Sequence, residues 1–241
     1  MMSATDYREI AFNYTSADDR QIIHFLLGSD HWERWQRLRS QRVTGRSAKL
    51  MMRMLGDLFI LYRNPFLFQD LLESSRKRKS FLAGLEIDLK VVEHSADGNE
   101  DVICLTSSCK SLVERFGQRL DQVMLLRERL KSRAGAIAGK ENVVFDPLNL
   151  VSHATDATDW RLFLPLAVIY PTDEDQIAAL MRELSAMNLK VIPRGAGTGL
   201  TGGAVPVQED CVMINVEKLN RIRGIITKTE QTESAESGDL K

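Results

Sequence analysis

The feature of this sequence that most constrains its fold is a glycine cluster between Pro193 and Pro206, PRGAGTGLTGGAVP. Five of the 15 glycines of the chain fall in this stretch. Glycine reaches positive φ angles and lets a ligand approach the backbone, but it loses more conformational entropy on folding than any other residue. A simple turn does not require five such residues. The cluster therefore predicts a ligand-binding loop, which we call the glycine loop (residues 193–206).

The chemistry of the glycine loop indicates an anion as its ligand. Consecutive backbone N–H groups can converge on a negative charge in such a loop. Thr198 and Thr201 add hydroxyl donors, and Arg194 adds a permanent positive charge. Phosphate or pyrophosphate is the expected ligand, and a glycine-rich turn that joins two strands is the alternative.

Two common phosphate motifs do not fit the glycine loop. Gly197-x-Gly199-x-x-Gly202 matches the dinucleotide fingerprint, and Glu217 lies where a ribose-binding acid could follow. That fingerprint must open a helix, however, and residues 203–206 (GAVP) are poor material for a first helical turn. A triphosphate-binding P-loop is also disfavoured, because no Gly-Lys-Ser/Thr sequence follows.

The segments on either side of the glycine loop alternate between strand and helix patterns. Residues 166–170 (LAVIY) predict a strand, and Thr172 with Asp175 predicts a capping box at the start of a helix. That helix has an apolar stripe, and strands follow at residues 190–192 and 211–216. This order is an α/β pattern. The stripe comprises Ile177, Leu180, Met181, Leu184 and Met187.

The region before these strands has helical periodicity. Between about residues 7 and 89 apolar residues recur at helical spacing, with a capping box predicted at Ser16 and Asp19 and a break at Asn64-Pro65. One helix is predicted after that break. A polar loop is predicted at residues 93–101, and a further helix at about residues 111–138.

Composition narrows the class of protein. The formal net charge of -1 gives no general attraction to nucleic acid or membranes. No apolar run reaches the roughly 18 residues that a membrane-spanning helix needs. The start of the chain lacks the pattern of a secretory signal, and the three cysteines are an odd number without metal-ligand spacing. We expect reduced thiols in a cytoplasmic protein.

Two other features have a functional and a structural interpretation. Seven basic residues between Arg34 and Arg53 form a candidate surface for nucleic acid, anionic lipid or another part of a larger enzyme, although solvated helix faces explain them more simply. His153 lies near Asp156 and Asp159 and is a candidate for metal or acid–base chemistry, but structural hydrogen bonding is favoured.

The glycine loop and its flanks also resemble a known family. PRGAGTGLTGGAVP, preceded by LAVIYPTDEDQIAALMRELSAMNLKVI and followed by CVMINVEKLNRI, resembles the FAD-binding domain of the flavin oxidoreductases typified by vanillyl-alcohol oxidase and para-cresol methylhydroxylase. Within that family it is most similar to the D-lactate, glycolate and D-2-hydroxyglutarate dehydrogenase branch. The resemblance covers about residues 156–226. The preceding helical region resembles an uncharacterised extension found in some large bacterial FAD-linked oxidases.

The resemblance implies a set of cofactor contacts. In this family the loop wraps the FAD pyrophosphate with backbone amides. Members that bind flavin covalently through this loop have a histidine near the position of Thr198, so non-covalent FAD is expected here. The implied cofactor-binding residues are Arg194, Gly195, Ala196, Gly197, Thr198, Gly199, Gly202, Gly203 and Ala204.

Together these patterns predict an α+β protein. We expect a helical N-terminal extension (residues 1–150), the first half of a FAD-binding domain of this type (151–226) and a disordered tail (227–241). The family's second flavin half and its catalytic groups do not appear in the sequence. We therefore expect an FAD-binding fragment of a flavoprotein oxidoreductase for a 2-hydroxy acid, with no catalytic or metal-binding residue of its own.

The expected partners of this fragment are FAD and other domains or subunits of a larger oxidoreductase. No nucleic acid and no transmembrane segment are expected. The alternative is a non-catalytic helical interaction module with a vestigial nucleotide-binding loop.

Overall fold

The computed structural model describes residues 17–41, 44–158, 160 and 162–221, so the predicted tail lies outside the described residues. Within these ranges the chain forms eight α-helices and four β-strands, which confirms the α+β class. The helices are α1 (Asp19–Leu26), α2 (Trp32–Ser40), α3 (Gly45–Arg63), α4 (Pro65–Glu73), α5 (Ser75–His94), α6 (Glu100–Ala138), α7 (Pro147–Ser152) and α8 (Glu174–Ala186). The strands are β1 (Val143–Val144), β2 (Ala167–Ile169), β3 (Lys190–Arg194) and β4 (Cys211–Asn215).

Side-chain caps set the starts of the helices. Asp18 caps α1 in a capping box with Gln21, whereas the predicted cap Ser16 lies outside the described residues. Asn64 ends α3 and accepts hydrogen bonds from the first N–H groups of α4, which confirms the predicted break. At α8 the cap is Asp173 and not Thr172, because the Asp173 carboxylate accepts the N–H of Asp175.

Two predicted helix boundaries are wrong. The single helix expected after Asn64 is two helices, since Ser74 caps a second one, α5. The helix expected from Ser111 begins eleven residues earlier, at Glu100, where Asn99 caps it. Its first three turns contain the polar sequence TSSC, but Val102, Leu105 and Cys109 in these turns are buried in the core. The polar loop is correspondingly shortened to residues 95–99.

Helix α6 contributes to two hydrophobic cores. Its 39 residues span about 58 Å at the α-helical rise. Phe116 and Leu120 are fully buried in the first core, which is formed with α1 to α5. Leu130, Ala134 and Ala138, further along the same helix, belong to the second core with the sheet and α8. The helical region and the sheet are therefore joined by one continuous element.

The sheet has the strand order β1-β2-β4-β3. Strands β2, β4 and β3 are parallel, and β1 adds to β2 in antiparallel orientation. Helices α6 and α8 cover one face, and α7 packs on the other beside Val168 and Met213. Strand β1 lies before residue 151 and α7 crosses it, so the sheet and its covering helix include residues before the predicted domain boundary, which itself stays a prediction. Met181 of the predicted α8 stripe is 45% exposed and does not enter the core.

Because α6 contributes to both hydrophobic cores, its buried residues should contribute strongly to stability. Phe116 is fully buried and its ring contacts the rings of Tyr62, Phe68 and Phe81. We expect Phe116→Ala to lower the free energy of unfolding by about 3–5 kcal/mol, because it deletes a large buried ring and leaves a cavity. Leu125→Ala on the same helix is the control, since Leu125 is 61% exposed and should change stability by less than about 0.5 kcal/mol. Urea denaturation followed by circular dichroism measures both, and equal losses would contradict the prediction.

Candidate functional site

The glycine loop begins at the carboxyl edge of the sheet. Because β2, β3 and β4 are parallel, their carboxyl ends, at Tyr170, Arg194 and Asn215, lie along the same edge. Ligands of open α/β sheets bind outside this edge. The loop leaves β3 there and returns to β4, without a helix between the two strands. This connection agrees with the sequence argument against a Rossmann site.

Two glycines of the loop adopt a backbone conformation that other residues rarely take. Gly197 has φ +71° and Gly202 has φ +74°. A Cβ at Gly197 would also overlap the guanidinium of Arg194, and a Cβ at Gly202 would lie 3.0 Å from the Trp160 ring. The loop thus folds closely over Arg194 and Trp160, and only glycine fits at both positions.

The other side of the loop is open. A Cβ built at Gly195 or Gly203 meets no protein atom within 4 Å. Ala196, Thr198 and Thr201 are exposed as well. These residues are exposed, as a ligand-binding role of the loop requires. The cofactor contacts assigned to the individual loop residues stay predictions.

Arg194 lies beneath the loop and supports it. Its Nη1 donates to the carbonyl oxygen of Thr155 at 2.6 Å and to that of Ala204 at 3.4 Å, and its Nη2 donates to that of Ser152 at 3.4 Å. No carboxylate of the described residues forms an ion pair with Arg194. Arg194 therefore has no direct ion-pair partner among the described residues, and a cation in this position favours an anion nearby.

A segment that the site prediction did not include also contacts the loop. In residues 152–158, which we call the supporting segment, the N–H of Ala157 donates to the carbonyl of Gly199 at 3.2 Å. Oδ1 of Asp156 accepts from the N–H of Thr158 at 2.9 Å and from its hydroxyl at 2.6 Å. The pattern Asp156-Ala157-Thr158 is typical of a short side-chain-to-backbone turn, so its chemistry was visible in the sequence. The position of this turn under the loop was not visible in the sequence.

Asp156 is a buried carboxyl group whose pKa is held low by its hydrogen bonds. Burial alone would raise the pKa of this carboxyl, but hydrogen bonds from the side chain and backbone of Thr158, with a contribution from the backbone N–H of Ala204, hold its pKa below the ordinary value. Its second oxygen, Oδ2, is buried without a hydrogen-bond partner among the described residues. This oxygen lies 3.8 Å from the Cβ position of Gly199.

His153 forms a buried hydrogen-bond network behind the loop. Its Nδ1 donates to the carbonyl oxygen of Asn149 at 2.8 Å, so Nε2 must accept from Nδ2 of Asn215 at 2.9 Å. Oδ1 of Asn215 accepts the N–H of Glu217, which fixes the amide orientation. The hydroxyl of Tyr170 donates to Oδ1 of Asn149 at 2.8 Å. The structural interpretation of His153 is thereby confirmed, and Asp159 lies outside the described residues.

The structure supports neither a metal site nor a membrane span within the described part of the chain. No three potential ligands among His, Cys, Asp and Glu come together there. None of the helices there combines the length and apolar character that crossing a bilayer requires.

Comparison with known families matches both parts of the chain. A family model described as "FAD binding domain" matches residues 165–238, which contain the whole glycine loop. This match, with the similar proteins described below, supports an FAD-linked oxidase of the vanillyl-alcohol oxidase and para-cresol methylhydroxylase type for the C-terminal part of the chain. FAD is the cofactor of this domain. A second family model, described as a protein of unknown function, matches residues 5–118. The supporting segment lies between the two matched ranges.

Several curated proteins are similar to part of this chain. The mitochondrial D-2-hydroxyglutarate dehydrogenase of Arabidopsis thaliana is 30% identical over 119 residues, which are 49% of this chain and 20% of that protein. The glycolate oxidase subunit GlcD of Bacillus subtilis is 30% identical over 92 residues, 37% of this chain and 19% of that protein. The D-lactate dehydrogenase of Archaeoglobus fulgidus is 33% identical over 55 residues, 23% and 12% of the two chains. The matches therefore span about a fifth or less of these relatives.

A solved structure is also similar. Para-cresol methylhydroxylase with substrate bound matches with a TM-score of 0.37 and 18% identity, over 45% of this chain and 24% of that chain.

The residues present fit a pyrophosphate. The loop has open space on its exposed side at Gly195 and Gly203, where a Cβ would meet nothing. Beneath it lies the cation of Arg194, whose hydrogen-bond partners among the described residues are carbonyl oxygens. An FAD pyrophosphate carries negative charge and needs backbone N–H donors. The open loop offers space for it, and Arg194 offers a positive charge.

Several basic residues between Arg34 and Arg53 form ion pairs with carboxylates of the same chain. Arg34 and Arg37 both bind the carboxylate of Asp101, at 3.0 and 2.8 Å. Arg53 binds Asp88 at 2.7 Å, and Arg39 binds Asp19 at 3.3 Å. Arg42 lies outside the described residues. These ion pairs reduce the charge available to a nucleic-acid or lipid partner.

The His153 network predicts a dependence of stability on pH. Burial lowers the pKa of His153, and the charge of Arg194 adds to this effect, while the hydrogen bond to Asn149 opposes it. The unfolded chain binds this proton at about pH 6.5, above the folded pKa, so the free energy of unfolding falls as pH drops below about 6.5. We expect the urea midpoint to fall more between pH 7.5 and 5.5 in the wild type than in His153→Gln.

The matched control for this experiment is His94→Gln, which changes an exposed histidine at the end of α5. This variant should keep the pH dependence of the wild type. An unchanged slope in His153→Gln would contradict the assigned network.

Proposed function

We propose that this chain binds FAD non-covalently and is the cofactor-binding part of a flavin-dependent oxidoreductase that acts on a 2-hydroxy acid. The observation that supports this most strongly is the glycine loop at the carboxyl edge of the sheet, open on one side and supported by a cation on the other. The match of the FAD binding domain to residues 165–238 agrees with this proposal.

The chain's own residues have three tasks in the proposed site. Backbone N–H groups of residues 195–203 bind the pyrophosphate, and Arg194 contributes positive charge from below while it holds the loop to the supporting segment. Gly197 and Gly202 provide the positive φ angles that turn the loop. FAD, when bound, supplies the two-electron redox chemistry, and the protein positions it. No residue of the chain is assigned a catalytic role.

Two glycine substitutions test the site. Gly197→Val forces a side chain into the Arg194 guanidinium at a φ of +71°, so we expect FAD affinity to fall at least about tenfold. Gly203→Ala adds a methyl group that no protein atom opposes, so a loss of affinity there reports contact with the ligand itself. We expect a loss of about tenfold for Gly203→Ala without a change in melting temperature. Flavin fluorescence titration measures both.

Gly84→Ala is the matched control, because Gly84 is exposed on α5 and its Cβ position is also open. It should bind FAD as the wild type does. The absence of saturable FAD binding by the folded wild-type chain would contradict the proposed function, and unchanged affinity in both loop variants would contradict the assignment of the loop.

The substrate class is proposed from the curated relatives, whose names are D-2-hydroxyglutarate dehydrogenase, glycolate oxidase subunit and D-lactate dehydrogenase. All three names denote reactions at the hydroxyl-bearing carbon of a 2-hydroxy acid. We propose the same class here, with electrons passing to a separate acceptor and with further domains or subunits as partners. A cytoplasmic location is proposed from the three cysteines, none of which forms a disulfide.

The substrate proposal is tested on the protein isolated from its own cells. We expect anaerobic addition of D-2-hydroxyglutarate, D-lactate or glycolate to bleach the flavin absorbance with at least one of these acids. L-lactate is the control and should leave the absorbance unchanged. Bleaching by none of the three would contradict the 2-hydroxy acid assignment while leaving FAD binding untouched.

A further inference from the structure

We infer that the supporting segment, residues 152–158, holds the glycine loop in its ligand-binding shape, and that Asp156 is the positioning residue of this arrangement. The inference deepens the proposed function and rests on it for the identity of the ligand. Neither family match includes these residues, since they lie between the matched ranges.

The supporting segment contacts the loop at its start and middle, and Arg194 links the end of the loop to these contacts. At the start, Arg194 is bound to the carbonyl groups of Ser152 and Thr155. In the middle, the N–H of Ala157 donates to the carbonyl of Gly199. At the end, Arg194 also binds the carbonyl of Ala204, so the same guanidinium joins both ends of the loop to the segment. Beyond Arg194, where β3 ends, the loop has no helix or strand of its own to fix its shape.

Asp156 organises the segment through its first carboxylate oxygen. Oδ1 accepts both donors of Thr158, and this turn presents the N–H of Ala157 to the loop. Only about 9% of Asp156 is exposed, so these bonds form away from competing water and are strong. Loss of the carboxylate would leave Thr158 without its acceptor and release the contact with Gly199.

The second oxygen shows on which side of the loop Asp156 acts. Oδ2 is buried, unpartnered and 3.8 Å from the Cβ position of Gly199. A carboxylate would repel a pyrophosphate and does not belong among its ligands. Asp156 therefore acts from beneath the loop, through the backbone around Gly199, and leaves the N–H groups of the open face to the ligand. A loop fixed before binding loses less entropy when the ligand arrives.

Three substitutions separate positioning from general stability. Asp156→Ala removes both oxygens, and Asp156→Asn keeps one acceptor for Thr158. Thr158→Val removes, at similar volume, the hydroxyl that donates to Asp156 and accepts the N–H of Trp160. Asp121→Asn on α6 is the matched control, because that carboxylate is 68% exposed and far along the chain from the loop. Two readouts are used on the full chain: amide hydrogen exchange of residues 195–204 without ligand, and calorimetric titration with ADP, which carries a pyrophosphate and no flavin.

We expect Asp156→Ala and Thr158→Val to speed exchange at residues 195–204 by about tenfold or more while the amides of β4 are unchanged. ADP affinity should fall by about tenfold in Asp156→Ala, with Asp156→Asn between it and the wild type. Loop exchange equal to the wild type in both Asp156→Ala and Thr158→Val would overturn the inference. So would an equal rise of exchange throughout the chain, because that indicates general destabilisation.

The two proposals fail in distinguishable ways. If the wild type binds neither ADP nor FAD but Asp156→Ala still mobilises the loop alone, the proposed function is wrong and the positioning role stands. If the wild type binds ADP and the variants bind it equally well, with unchanged loop exchange, the proposed function stands and the positioning role is wrong.

Discussion

The structure depends on the burial of one face of the long helix α6. Phe116 and Leu120 anchor that face in the helical core, and Leu130 and Ala134 continue it onto the sheet. Three short parallel strands need cover on both faces, because parallel sheets are stable only when both are buried. Helix α6, together with α8, supplies one of those covers. The helical region thus contributes directly to the unit that contains the glycine loop.

The glycine loop depends in turn on what lies beneath it. Its glycines give freedom of φ, and freedom alone would leave a mobile segment. Arg194, at the start of the loop, restricts that freedom by binding the carbonyl of Ala204 near the loop's end and two carbonyl groups of the supporting segment. The buried network of His153, Asn215 and Tyr170 closes the sheet edge behind it. A flexible sequence acquires a defined shape in this way, and its open face remains free for a ligand.

The sequence predicted the parts of the fold that local chemistry determines. Strands at residues 167–169 and 211–215, the break at Asn64-Pro65 and the absence of a helix after the loop all followed from residue patterns. The sequence did not predict the contacts between segments that are distant along the chain. Strand β1 has only two residues, and its pairing with β2 depends on long-range register. The start of α6 was missed because TSSC is polar, although its Cys109 is buried by tertiary packing. The supporting segment showed turn chemistry, but not its place under Gly199.

Amide hydrogen exchange of the full chain with and without FAD tests the central claim most directly, because the proposed contacts are backbone N–H groups. Saturating FAD should slow exchange at residues 195–204 by at least about tenfold, while the buried amides of β4 and the helical core keep their rates. Protection limited to the loop would establish it as the pyrophosphate site. Saturable binding of FAD with unchanged exchange at residues 195–204 would contradict that claim and place the cofactor elsewhere.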